Sequence, residues 1–404
     1  MSAFVAAALA ILLVLLPVGR TAEIALLAVA LAGVVAAWRA RGDANAWRGA
    51  GLALLAFAAY WLPALLSAFD AVAPDKSWST VAGTVRFLPF ALGAVLALRD
   101  APAWQARVAR AAGAIVALWT VDALLQAATG WSLGGRLQVD RISGVFGDDN
   151  LKLGPALAVL SPFALVAARR FGRAALLAAW LALAAAVLLA GARAGWVMFA
   201  IVTLALAWRE AGGARRFAAW CAAALAAIAL LGVSAYHGSA RFELRIERTL
   251  AATRGDADAI DFALAGRLPI WRTALAMAAA HPVNGVGVRG FRHAYPDHAA
   301  PGDPWVAPGS DTGALHAHQL VLELLAETGA IGLLAWLVAA FALVRAGLRA
   351  RGEARTLAWP PAVALVAMTF PLNTHFAFYS AFWGLVLWWL LALWLAAVAT
   401  REPR

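Results

Sequence analysis

Residues 376–399 read FAFYSAFWGLVLWWLLALWLAAVA and contain no charged side chain. A helix that crosses the hydrocarbon core of a bilayer needs about 20 mostly apolar residues, and this run is long enough. The rest of the 404-residue chain has the same character, because 64% of its residues are hydrophobic, 14% are charged and its mean hydropathy is +0.77. We therefore predict an all-α polytopic membrane protein.

Apolar runs separated by short connections predict about twelve transmembrane helices. Their predicted ranges are 3–19, 22–38, 50–69, 79–98, 108–128, 151–168, 174–190, 194–208, 217–235, 319–344, 357–373 and 376–399. The predicted organisation is membrane helices over residues 1–235, one large loop over 236–317 and further membrane helices over 318–404.

Arginines are concentrated in alternate short connections of this pattern. The arginines in these connections are Arg39, Arg41, Arg48, Arg99, Arg107, Arg110, Arg169, Arg170, Arg173, Arg209, Arg215, Arg216, Arg345, Arg349, Arg351 and Arg355. An excess of basic residues in short loops marks the cytoplasmic side, so we predict both termini there and the large loop outside. The net charge of +11 is spread over these connections, which argues against a nucleic-acid partner. Each connection is too short for a nucleotide-binding βαβ unit of about 30 residues.

The large loop contains two amphipathic stretches, ARFELRIERTLAATR at 240–254 and GRLPIWRTALAMAAAH at 266–281, which predict short helices. The apolar face of the second is predicted to run through Ile270, Trp271, Leu275 and Met277. NGVGVRGF at 284–291 is predicted to be a flexible turn, and residues 295–312 are predicted to be coil.

Eight arginines in the large loop indicate an anionic substrate. They are Arg241, Arg245, Arg248, Arg254, Arg267, Arg272, Arg289 and Arg292. The planar guanidinium group matches phosphate oxygens and stays charged near apolar surface, which suits a lipid pyrophosphate. The alternative is simple attraction to anionic lipid head groups.

Two other arginines are predicted at membrane depth. Arg193, in GARAG at 191–195, either extends to the interface or is the counter-charge of a buried anion. Arg86, inside the fourth predicted span, either forms a structural ion pair with Asp122 or belongs to the functional site.

The tenth predicted span begins with HAHQLVLELLAETGAIG at 316–332. His316 and His318 lie at its outer end, and Glu323 and Glu327 share one face further along. A histidine at the mouth of a membrane cavity can accept a proton from an incoming hydroxyl, or it can simply hydrogen-bond the start of a helix.

The same stretch resembles the signature of the O-antigen ligase family. It contains His318 and Gln319, then nine residues, then Gly329, two residues and Gly332. The resemblance implies a GT-C-like glycosyltransferase architecture, in which His318 helps to activate the acceptor hydroxyl. It further implies that Arg193 and Arg267 engage the donor pyrophosphate, although the bend at Arg193 reads Gly-Ala-Arg where relatives commonly have Ser-Arg. Arg289 is a third candidate for donor binding, and the remaining candidates are Arg86, Arg136, Lys152, His316 and Gln319.

Similarity to this family implies a multi-pass protein of the bacterial inner membrane with its active site facing the periplasm. Its expected reaction moves O-antigen polysaccharide from undecaprenyl pyrophosphate to a sugar hydroxyl of lipid A-core, inverting the anomeric configuration without metal or cofactor. An O-antigen polymerase and a protein O-oligosaccharyltransferase would use the same donor. A transporter of lipid-linked glycan is the non-enzymatic alternative, although no internal repeat supports it.

Overall fold

The computed structural model describes residues 1–43, 47, 50–136, 141–147, 150–238 and 264–400, and ten single positions between 243 and 262. Its helices are α1 (Ser2–Leu15), α2 (Ala22–Arg39), α3 (Gly51–Ser67), α4 (Pro74–Thr84), α5 (Phe87–Leu98), α6 (Pro102–Thr129), α7 (Leu153–Arg169), α8 (Arg173–Leu189), α9 (Arg193–Ala211), α10 (Ala214–Gly238), α11 (Arg267–Ala280), α12 (Phe291–His298), α13 (Leu320–Arg349), α14 (Gly352–Thr369) and α15 (Ala381–Val398). Strands β1 (Trp131–Ser132) and β2 (Gly135–Arg136) form an antiparallel hairpin, and a 3-10 turn covers Gly144–Phe146.

Within the described residues, seven helical segments have the length and composition to cross a membrane. They are Ala22–Arg39, Pro74–Leu98, Pro102–Thr129, Arg193–Ala211, Ala214–His237, Leu320–Arg349 and Ala381–Val398. Four shorter apolar helices, α1, α3, α7 and α8, accompany them. Together with α14 these segments overlap every predicted span. The multi-pass helical class is therefore confirmed, whereas the number of spans and their orientation stay predictions.

Helix α15 lies at the centre of the bundle. Trp388 and Trp389 on this helix are fully buried. Trp388 stacks on Phe87 with 5.5 Å between ring centroids, and the Trp389 indole donates to the Leu9 carbonyl over 2.9 Å. The opposite extreme is α10, whose most apolar window is 0% buried within the protein. Both helices are apolar on all sides, so protein covers the first and we infer that lipid covers the second.

One predicted boundary and one predicted partner were wrong. The last helix begins at Ala381 rather than at residue 376, because the Asn373 side chain accepts from the backbone N–H groups of His375 and Phe376 and forms a loop there. Arg86 lies at the turn between α4 and α5 and bonds Glu23 twice, at 2.9 and 2.8 Å. Its predicted partner Asp122 instead accepts from the Leu133 N–H at 2.7 Å.

Helix α13 is interrupted at Gly329, whose backbone has φ 62° and ψ −161°. Residues 282–287 supply the hydrogen bonds that the interruption removes. Ala330 N–H donates to the Pro282 carbonyl at 2.9 Å, and Val286 N–H donates to the Ala326 carbonyl at 2.8 Å. Irregular backbone at membrane depth requires such internal partners. The predicted flexible turn at 284–291 is therefore a fixed segment packed against the break.

The large loop has a small core of its own. Ile270 and Met277 of α11 pack with Phe291 and Tyr295 of α12, and all four are buried. The predicted helix over 266–281 is confirmed, but Leu275 of its predicted apolar face is 55% exposed. Helix α12 occupies the start of the stretch predicted as coil, because Phe291, Ala294 and Tyr295 share its buried face. Much of the amphipathic stretch 240–254 lies outside the described residues, including its four arginines, Arg241, Arg245, Arg248 and Arg254, so the helix predicted there stays a prediction.

Candidate functional site

His318 lies immediately before α13, in a backbone conformation that side chains other than glycine rarely adopt, with φ 51°. Its N–H donates to Nδ1 of His316 over 3.2 Å, and its own Nδ1 lies 3.1 Å from the Thr374 carbonyl oxygen. Gln319, the next residue, caps α13, because its side-chain oxygen accepts from Leu322 N–H at 2.5 Å. These bonds hold the His318 ring in one orientation.

The contact with Thr374 decides the tautomer of His318. A carbonyl oxygen can only accept, so Nδ1 must carry the hydrogen and Nε2 keeps its lone pair. Burial, followed by the neighbouring His316 and Arg267, lowers the pKa of His318 to about 3. The ring is therefore neutral at physiological pH, and its Nε2 lone pair has no hydrogen-bond partner among the described residues.

Three histidines meet at this point. The rings of His316 and His318 lie 3.8 Å apart between centroids. His375, in the loop between α14 and α15, packs edge-on against Trp383 at 5.4 Å. Burial and then the charges of His318, His316, Arg267 and Lys152 lower the pKa of His375 to about 3. Sequence analysis missed His375, although its position in the predicted connection between the last two spans, on the same side as the large loop, was an available signal.

Two arginines from different elements lie near one another, and one of them, Arg267, lies beside the histidines. Arg267 is the first residue of α11, and Arg193 is the first residue of α9. Burial and then the charge of Arg193 lower the pKa of Arg267. The Arg267 charge in turn contributes to the lowered pKa values of His316, His318 and His375. Each of these positive charges makes the charged form of its neighbours less favourable, so a bound anion would stabilise the group of side chains.

Arg289 and two buried glutamates connect the large loop to α13. The Arg289 backbone has φ 62°, and its N–H donates to Glu327 Oε2 at 2.9 Å. Glu323 Oε1 accepts from Phe378 N–H at 2.9 Å, while its Oε2 lies 3.6 Å from Nδ1 of His316. Burial, then the charges of Arg289 and Arg267, lower the pKa of His316 to about 4. The two carboxylates thus hold the segments that carry Arg289 and His375 against the start of α13.

The other candidates divide into two groups. Lys152 lies near the histidines, since its charge lowers the pKa of His375, and its amino group stands over the Phe382 ring at 4.8 Å. Arg86, in contrast, is bonded to Glu23, and Arg136 is exposed on the β1–β2 hairpin. The structure therefore brings together Arg193, Arg267, Arg289, Lys152, His316 and His318, and adds His375.

An apolar groove with a volume of about 290 Å³ starts beneath this cluster. Tyr60 and Phe378 line the end next to the histidines, and Gly347 and Trp394 line the far end. Phe378 links the groove to the site directly, since its N–H is bonded to Glu323. Among the described residues, no set of three or more His, Cys, Asp or Glu side chains is arranged to hold a metal ion.

Residues 177–337 match the model of a family described as O-antigen ligase. The matched segment runs from within α8 to beyond the break in α13, and it includes Arg193, Arg267, Arg289 and His318. No curated protein matches the chain. The match confirms the resemblance read from the sequence and supports a membrane enzyme of the O-antigen ligase or polymerase type.

Proposed function

From this family match, we propose that the protein is an inner-membrane glycosyltransferase that moves O-antigen polysaccharide from undecaprenyl pyrophosphate to a sugar hydroxyl of lipid A-core at the periplasmic face. One observation carries the proposal: His318, neutral and with Nε2 free to accept a proton, lies beside Arg267, whose neighbour is Arg193. A base next to paired guanidinium groups suits a reaction in which a hydroxyl loses its proton while a diphosphate departs.

The reaction has one displacement step. The acceptor oxygen attacks the anomeric carbon, the bond from that carbon to the pyrophosphate oxygen breaks, and the hydroxyl proton passes to His318 Nε2. The electrons of the broken bond stay on the undecaprenyl pyrophosphate, whose added charge Arg193 and Arg267 stabilise. Attack opposite the leaving group inverts the anomeric configuration. The pKa of about 3 belongs to the site without donor, and the negative pyrophosphate beside the ring would raise the His318 pKa toward the range that a general base needs. The proton on His318 then returns to solvent.

The lipid part of the donor finds a matching surface in the apolar groove. Both walls of the groove are hydrophobic, and its upper end at Tyr60 and Phe378 adjoins the cluster. A polyisoprenoid chain in the groove would bring the attached pyrophosphate to the arginines. Arg289 is the third donor-binding residue in this proposal, because its charge acts on His316. Lys152, near His375, is suited to the acceptor side.

The test uses purified protein in sealed proteoliposomes with a polyprenyl-pyrophosphate glycan and one of three acceptors: lipid A-core, a second donor molecule or a serine-containing peptide. We expect glycan on lipid A-core. Elongation of the donor instead would favour a polymerase, and a glycosylated peptide would favour a protein O-oligosaccharyltransferase. Movement of donor across the membrane with no change in its covalent attachment would favour a transporter.

His318→Ala tests the assigned base in the same assay. We expect transfer to fall by at least about 100-fold, the usual lower contribution of a general base, while donor binding is kept. The matched control is His298→Ala, which removes a histidine of α12 whose ring pairs with His281 rather than with the cluster. Normal transfer by the His318 variant would overturn the assignment.

A further inference from the structure

A second charged cavity lies at the other end of the helix bundle. It has a volume of about 320 Å³ and opens between α6, α7, α9 and α14. Arg193 begins α9 at the histidine cluster, whereas the cavity is lined by Arg209 near the end of the same helix. Likewise Lys152 precedes α7 and Arg169 ends it. A helix of 17 residues, the length of α7, is about 25 Å long, so the two sites are well separated.

Four arginines from three elements line this cavity: Arg110, Arg169, Arg170 and Arg209. Glu210 is the one acidic residue among the lining residues, and it bonds Arg169 Nε at 2.7 Å. Arg209 is held from another side, because its guanidinium stands 4.3 Å over the Trp359 ring. The lining therefore carries a clear excess of positive charge, which an anion would offset.

The inner wall of the cavity is apolar. Phe163, Leu206 and Leu357 line it, and Arg110 and Arg170 are exposed at its mouth. A soluble anion would use only the arginines, whereas an amphiphile would use both surfaces. The volume is near the lower end of the range for small-molecule sites, about 300–1,000 Å³, so a head group fits rather than a whole lipid. Basic pockets between membrane helices are suited to phospholipid head groups.

We propose that this cavity binds the phosphate head group of an anionic phospholipid. The guanidinium groups receive the phosphodiester oxygens, and the glycerol and first acyl carbons lie against the apolar wall. The site is separate from the histidine cluster and does not depend on the transfer reaction. The site exists only in the folded protein, because Arg110, Arg169 and Arg209 belong to three different helices.

The experiment is native mass spectrometry of the detergent-purified full chain titrated with phosphatidylglycerol or with phosphatidylcholine of the same acyl chains. We expect preferential retention of phosphatidylglycerol. Arg110→Gln with Arg170→Gln should weaken this binding by about 30-fold, because each of the two basic residues contributes roughly 5-fold to the binding of an anionic lipid. Both side chains are exposed, so the variant is expected to fold, and its thermal unfolding is measured alongside. If the pair fails to fold, Arg170→Gln alone serves.

The matched control is Arg349→Gln with Arg351→Gln, which removes the same charge from exposed positions outside the cavity. This control should keep its phosphatidylglycerol affinity. An equal loss in both variants would mean general surface attraction and would overturn the proposal. A parallel arm measures the thermal shift with inorganic phosphate. The cavity would be a site for a soluble anion instead if two results were found together. The wild-type protein would bind phosphate but show no preference for the anionic lipid, and the cavity variant would lose the phosphate binding.

Discussion

At the scale of single residues, two residues of the candidate site have a strained backbone conformation. His318 and Arg289 both have positive φ, a conformation that costs side chains other than glycine on the order of 1–3 kcal/mol. Hydrogen bonds offset the strain: the His318 ring bonds the Thr374 carbonyl, and Arg289 N–H bonds Glu327. Within the described part of the chain no backbone group bonds His318 Nε2, which under the proposed function would accept the proton of a substrate hydroxyl.

The lowered pKa of His318 predicts an unusual pH dependence. Burial lowers this pKa from 6.5 to about 3, so the neutral, proton-accepting ring predominates at every pH above that value. We expect kcat/KM, which reports the free enzyme, to stay level from about pH 8 down to about pH 5. Intrinsic fluorescence across the same range controls for unfolding. An acid limb with its midpoint near pH 6.5 would mean that the ring titrates like an ordinary histidine.

At the scale of elements, the interruption of α13 joins the large loop to the membrane helices. Gly329 and Gly285 both have positive φ, and they let the two segments approach closely. A Cβ at Gly329 would meet the backbone of Val283, and one at Gly285 would meet the backbone of Glu327. Arg289 comes shortly after Gly285 in the large loop, and His318 immediately precedes the first half of α13. The break therefore sets the distance between these two site residues.

Gly329→Ala tests this role of the break. The added methyl group is strained by φ 62° and collides with the Val283 backbone, so we expect a destabilisation of about 1–3 kcal/mol or more. Transfer activity should fall with it, because Arg289 moves relative to His318. Thermal unfolding in detergent and the transfer assay measure the two effects. Gly232→Ala in α10, where an added Cβ meets nothing within 4 Å, is the control. Equal behaviour of both variants would argue against a structural break at residue 329.

At the scale of the whole molecule, the apolar groove ends next to the charged cluster, because Phe378 lines the groove and its N–H is bonded to Glu323. Tyr60 belongs to α3 and Trp394 to α15, while the groove's outer wall is α13. Only 11% of the most apolar window of α13 is buried within the protein, so this helix presents a wide face to the surrounding lipid. Under the proposed function, the isoprenoid chain of the donor would enter the groove sideways from the bilayer.

A substitution that fills the groove should reduce transfer from a donor with a long lipid chain more than transfer from a donor with a short one. Ala339→Trp places a bulky ring in the groove, and we expect transfer from an undecaprenyl donor to fall by about 10-fold through lost apolar contact. A donor with only two or three isoprene units should be much less affected. Val338→Trp adds the same ring at a neighbouring exposed position and serves as the control. Equal losses with long and short donors would show that the groove does not hold the lipid chain.

Most residues of the candidate site were named from local sequence features, and the wrong or missing predictions have physical causes. His318 and the arginines were predicted because a motif and charges near apolar runs are local features. For Arg86 the sequence left open an ion pair with Asp122 or a role in the site, and the residue pairs with Glu23 instead, because helix pairing cannot be deduced from a single chain's hydropathy. Leu275 was predicted to share one apolar face with Ile270 and Met277, yet only the other two are buried by the neighbours of α11.

The sequence by itself determined that this protein is a helical, multi-pass membrane protein with a motif of the O-antigen ligase type. Long uncharged runs and the spacing of His318, Gln319, Gly329 and Gly332 require no knowledge of distant contacts. Only the tertiary structure decided that His375 joins His318, that Gly329 interrupts a helix, and that arginines from three helices share one cavity. The physical reason is that these contacts join residues far apart in the chain, whose meeting depends on how the helices pack.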